Sequence, residues 1–148
     1  MKLLKSTIVI LLLITCQAIA AQQEVLGRWV TIDDKANVEA SVVNIFRGEN
    51  GKYYGKVEAL LVEGYEDMRC TNCTGSLKNA PVRGMIILRD MEYLDGKLSG
   101  GTVLDPENGK TYYGKIWYDA SKKRLILRGS LDRRGILGRN QEWIRQRK

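Results

Sequence analysis

Histidine does not occur anywhere in the 148 residues. Its absence removes the usual general base near neutral pH, and with it Ser-His-Asp triads and imidazole-bound metals. No G-x-S-x-G elbow, phosphate-cradling glycine loop or dinucleotide fingerprint is present either. Paired carboxylates remain for acid–base work. The best pair, Asp105 with Glu107, belongs to a turn, where an aspartate side chain bonds nearby amides. The chain is therefore expected to be no enzyme, with no cofactor and no metal. Like charges never run five or six in a row, so the 24 basic against 17 acidic residues do not read as a nucleic-acid footprint. The excess fits solubility and a mild attraction to anions.

Long apolar runs are missing after the first twenty residues. Within those twenty, Lys2 and Lys5 precede an unbroken apolar core at 8–14 and the A-x-A site Ala18-Ile19-Ala20. This is the layout of a secretory leader, and its core is shorter than the roughly 20 residues a bilayer span needs. Residues 1–20 are read as a signal peptide and 21–148 as a single domain, periplasmic or secreted, with no membrane span. Cleavage leaves 128 of the 148 residues, and loss of Lys2 and Lys5 takes the net charge from +7 to +5. A lipoprotein site at Cys16 is the rival, disfavoured by Thr15 just before it. The remaining chain is long enough to bury one core.

What the chain does contain is β punctuation. Residues 100–119 read as two extended segments joined by Asp105-Pro106-Glu107-Asn108-Gly109. Asn-Gly tolerates positive φ and Pro106 presets a turn position, while Val, Ile, Thr, Tyr and Trp fit a pleated, half-buried surface. Asn50-Gly51 makes a second such hairpin between segments 38–47 and 53–62, and Asp95-Gly96 turns 83–91 into 97–104. In 38–47 the alternation places Val38, Ala40, Val42 and Phe46 on one face. Gly55 and Gly114 fall inside strands, where glycine marks a bulge or bend. Residues 63–81 break the rhythm as one long loop holding Cys70 and Cys73, with a helical turn expected at 65–69. The tally is about eight short strands, the pattern of an antiparallel sandwich or up-and-down barrel, with the barrel favoured.

Several spaced motifs stand together: Gly27-x-Trp29, Cys70-x-x-Cys73, Gly100-Gly101-Thr102-x-Leu104-Asp105-Pro106-x-Asn108-Gly109-Lys110, Lys115-Ile116-Trp117, Arg128-Gly129, and Gly138-Arg139-x-Gln141-x-Trp143-x-Arg145. In their order and spacing the chain after the leader resembles the bacterial domain-of-unknown-function family numbered 2147. That resemblance implies an exported protein with a small lipocalin-like barrel, here all-β, eight-stranded, antiparallel and up-and-down, with one long Cys-containing loop. Gly27-x-Trp29 also resembles the first-strand motif of lipocalins, whose tryptophan closes one barrel end beneath an arginine of the last strand. Arg145 or Arg139 is the expected partner, stacking its guanidinium on the indole.

With the leader gone, Cys70 and Cys73 are an even pair in an oxidising compartment and read as a structural disulfide, ahead of redox or metal roles. So short a closed loop places its stabilisation at about 2 kcal/mol or less. Eight-stranded barrels can hold one small ligand. Trp29, Tyr54, Tyr113, Trp117, Arg139 and Arg145 are the candidates for ligand contact or barrel closure. The arginines at 124, 128, 133, 134 and 139 read as a solvated face from which one or two meet an acidic headgroup. The expectation is a monomer that binds a small apolar or anionic amphipathic molecule and no nucleic acid. A filled barrel acting as an envelope interaction module is the alternative. Intact mass and N-terminal sequencing of the protein from a bacterial host are expected to show Ala21 as the first residue; an uncleaved chain or a lipid on Cys16 contradicts this.

Overall fold

The computed structural model describes residue 22 and residues 24–147. The expected leader, with Cys16 and the Ala20 cleavage site, lies outside the described residues. Among them are nine strands: β1 (Gly27–Asp33), β2 (Val38–Arg47), β3 (Tyr53–Leu60), β4 (Ile86–Leu94), β5 (Lys97–Ser99), β6 (Thr102–Asp105), β7 (Lys110–Asp119), β8 (Arg124–Ser130) and β9 (Gly138–Arg145). Every pairing is antiparallel, consecutive strands pair except β5 with β6, and β9 returns to pair with β1. Since β5 and β6 both lie between β4 and β7, nine segments fill eight positions of a closed up-and-down barrel.

The break between β5 and β6 has a steric cause. A Cβ on Gly101 would lie 2.1 Å from the Arg89 carbonyl oxygen and 2.8 Å from the Met91 nitrogen. Only glycine lets the chain cross β4 so closely. Gly55 and Gly114 make room inside, where added Cβ atoms would meet Leu88 Cδ1 at 2.6 Å and Met91 Cε at 2.9 Å. These glycines are sockets for core side chains.

Alternation sets the interior, with one change of phase. Along β2, Val43 and Ile45 are buried, whereas Phe46 and Val38 are exposed. The expected face, with Phe46 inward, is therefore corrected. Thr31 pairs with Ser41 but Ile32 with Glu39, so Ala40 is bulged out, and a second shift falls between Val42 and Val43 against β3. A bulge inserts one residue and flips the pleat beyond it.

Alternating strand direction defines two ends. At one lie residues 24–26, the turns after β2, β4 and β7, and the end of β9. At the other lie the turns after β1, β6 and β8 and the long connection 61–85. That connection is ordered. Cys70 and Cys73 are disulfide-bonded, with Cα atoms 5.3 Å apart. They join Val82 and Met85 in the core cluster. Backbone bonds run from Cys70 N to Ala80 O, Val82 N to Met68 O and Val57 N to Met85 O, each 2.9 Å. Asn72 donates to the Glu107 carbonyl across 2.8 Å, docking the loop on the β6–β7 turn. At 65–69 a single turn at 66–67 and a bridge from Arg69 to Pro81 stand in place of the expected helical turn, and the short 3-10 helix falls at Gly75–Leu77. The loop seals the barrel end that it crosses.

Gly101→Ala is expected to lower stability by more than about 2 kcal/mol, since a backbone clash has no soft partner to yield. Urea unfolding measures it, and a loss below about 0.5 kcal/mol contradicts the close crossing.

Candidate functional site

At the end opposite the disulfide loop, residues 24–26 meet the end of β9. Trp29 is wholly buried, its indole nitrogen donating to the Val25 carbonyl across 3.0 Å. The Arg145 guanidinium lies 3.8 Å from the centre of its ring. The same group donates from Nη1 to the Leu26 carbonyl at 2.5 Å and from Nη2 to the Glu24 carbonyl at 2.6 Å. Tyr118 packs at 6.1 Å from Trp29. Burial lowers the pKa of Arg145 below the ordinary arginine value, opposed by Tyr118 and Glu24. Cross-strand pairing sets this geometry, because Trp29 and Arg145 are direct partners in the β1–β9 ladder. Arg139, the other arginine considered, pairs with Gly129 near the disulfide end and is exposed.

The remaining aromatic candidates sit on the outer wall. Tyr54 donates to Asp90 at 2.8 Å and accepts from Asn50 at 2.8 Å. Trp117 carries Lys97 at 5.0 Å above its ring. Tyr113 carries Arg133 at 5.7 Å. Strand β7 turns the alternate set inward: Ile116 is fully buried, and Tyr112 and Tyr118 pack on the core. The sequence shows the alternation but not which phase faces in.

The interior is occupied by the protein itself. A ligand-sized void would leave accessible surface on the side chains around it, yet Trp29, Val43, Met91, Leu98, Ile116 and Leu125 have 0% exposure. Eight strands enclose a space that side chains can fill, and here they do. Asp105 serves the turn expected of it: its carboxylate accepts from the Glu107 amide at 3.0 Å and from Asn108 at 2.8 Å. Among the described residues no three His, Cys, Asp or Glu side chains stand close enough to hold a metal.

Concave features lie outside. A half-open cleft of about 390 Å³ lies over β6, β7 and β8, floored by Gly100 and Gly101 and walled by Tyr113, Lys115, Arg128 and Arg133. Lys115 and Arg128 are direct cross-strand partners, a like-charge pairing that is unfavourable unless an anion meets it. Arg128 is already engaged, donating to the Gly135 carbonyl at 2.6 Å, the Ile136 carbonyl at 3.1 Å and Asn140 at 3.0 Å. Lys115 and Arg133 are the cations left to meet a ligand. Among the described residues no carboxylate lines the cleft. Lys115 was missed from sequence, although its alternation with Tyr113 and Trp117 places all three on one face.

A closed eight-position barrel, sealed at one end by tryptophan under arginine and crossed at the other by a loop, is a lipocalin-like fold. The chain belongs to the family described as uncharacterized protein conserved in bacteria, DUF2147, whose family model matches residues 27–145. It is similar to the solved structure of protein HP1028 from the human pathogen Helicobacter pylori, described as belonging to the lipocalin family. The TM-score is 0.71 and the identity 24%, over 83% of each chain. At that identity the likeness speaks for the fold alone. A search of curated proteins gives no match.

Arg145→Ala is expected to cost about 2 kcal/mol, the sum of a cation–π contact and two bonds to carbonyls. Arg145→Lys is expected to recover less than half, because an ammonium cannot stack flat and reach both oxygens. Denaturant titration of the three proteins checks both, and equal stability of all three contradicts the closure.

Proposed function

We propose that this is an exported binding protein for a small amphipathic molecule with an anionic end, held in the outer cleft beside Tyr113 and not inside the barrel. The lining carries the reading: Lys115, Arg128 and Arg133 converge around an aromatic wall with no carboxylate among the described residues. Its volume falls in the range of small-molecule sites. Lys115 and Arg133 pair with the anion, and the Tyr113 ring takes the start of the tail. No covalent chemistry is assigned. The protein acts as a monomer outside the cytoplasm, without cofactor or nucleic acid.

A second reading draws on the filled interior: the barrel is a rigid envelope interaction module with no small ligand. Calorimetric titration with dodecyl phosphate below its micelle concentration separates the two. Binding is expected, with Lys115→Ala and Arg133→Ala each weakening it about tenfold, the worth of one charged hydrogen bond. Dodecyl maltoside, with the same tail and a neutral head, is expected to bind at least tenfold more weakly. No binding, or equal binding by both variants, removes the cleft reading and leaves the interaction module.

A further inference from the structure

The connection between β8 and β9, residues 131–137, breaks the ordinary rule for a surface turn. Leu131, Ile136 and Leu137 are exposed at 69%, 68% and 66%. Arg133, Arg134 and Arg139 flank them, all exposed. The stretch 131–139 contains one acid, Asp132. We propose that this hairpin docks the protein on an anionic phospholipid surface, with the three apolar side chains entering the acyl boundary and the arginines meeting the phosphates.

The backbone is prepared for such a place. Entering a low-dielectric layer costs several kcal/mol for each unsatisfied amide or carbonyl, so a lipid-facing turn must bond internally. Leu131 N donates to Leu137 O at 2.9 Å and Gly135 N to Asp132 O at 3.1 Å. The Asp132 carboxylate accepts from the amides of Ile136 at 3.1 Å and Leu137 at 2.6 Å. Arg128 occupies the carbonyls of Gly135 and Ile136 from below. Gly135, at φ +77°, supplies the left-handed corner. The turn's polar groups are thereby drawn inward while its apolar side chains stand out. These bonds hold the Asp132 carboxyl below its usual pKa, so its charge is spent on the turn.

Charge selects the occupant. None of Arg133, Arg134 and Arg139 forms an ion pair among the described residues. Basic residues beside apolar anchors are the pattern that anionic leaflets attract. A protein partner or a second copy fits less well. Three side chains on a narrow turn offer far less than the roughly 800 Å² per partner of a stable protein interface. Exposed Leu61, just after β3, and Val38, at the start of β2, stand at the same barrel end and widen the apolar rim. Leu61 is tied there by its amide bond to Ala40 O at 2.8 Å.

The inference does not rest on the cleft, and its test keeps them apart. Protein purified from expressing bacteria after its natural processing is sedimented with vesicles of phosphatidylglycerol and phosphatidylcholine in equal parts, or of phosphatidylcholine alone, in 0.1 M salt. Binding to the mixed vesicles is expected to be at least tenfold stronger, with raised salt weakening it. The combined change Leu131→Ser, Ile136→Ser and Leu137→Ser is expected to lose at least tenfold in partitioning with an unchanged melting curve, because the side chains are already in water. Arg134→Gln with Arg139→Gln is expected to lose about tenfold. Lys115→Ala leaves vesicle binding unchanged whatever it does to dodecyl phosphate. As a second readout, Ile136→Trp is expected to shift its emission to the blue on mixed vesicles. Equal sedimentation of the serine variant and the parent overturns the proposal. So does an Ile136→Trp emission that ignores lipid, or self-association that the serine changes abolish while vesicles are ignored.

Discussion

The guanidinium of Arg145 lying on the indole of Trp29 joins the first strand to the last, and the closed barrel depends on that junction. Strands β1 and β9 share only three register pairs, Trp29 with Arg145 among them, whereas β8 and β9 share seven. This short seam is thus reinforced by side-chain chemistry that a ladder alone lacks. Stacking uses the flat face of the guanidinium, and its edges bond the carbonyls of Glu24 and Leu26. One residue therefore holds the lead-in segment, the first strand and the last strand.

The opposite end follows a different strategy. There the long connection 61–85 lays a disulfide and two apolar side chains, Val82 and Met85, into the core. Between these seals the glycine sockets at 55 and 114 let Leu88 and Met91 reach the middle. An architecture often associated with an inner pocket is here a solid one, and the concave and exposed apolar features lie on the wall and rim. The cleft beside Tyr113 and the hairpin 131–137 are neighbours, since Arg133 and Gly135 belong to both.

The alternating pattern and turn chemistry made the fold legible. Asn50-Gly51, Asp95-Gly96 and Asn108-Gly109 all fall at turns between strands, and Cys70 bonds Cys73. These signals are local, so they survive without knowledge of the rest. The phase of each strand was not legible. In β2 a bulge at Ala40 reversed the pleat, and in β7 the choice between Tyr113 and Tyr112 depended on neighbours distant in sequence. Packing density in the middle was illegible for the same reason: whether Met91 fills the space over Gly114 is decided by three strands together. The cationic cleft needed Lys115 set beside Arg128, a register that only the closed sheet defines.

The contact between Arg145 and Leu26 spans 119 residues of sequence. On a chain emerging from the ribosome β1 can pair at once with β2, but its other edge has no partner until β9 has appeared, so the cylinder closes only then. Topology of this kind delays folding, because the entropy of bringing distant segments together is lost before any contact rewards it.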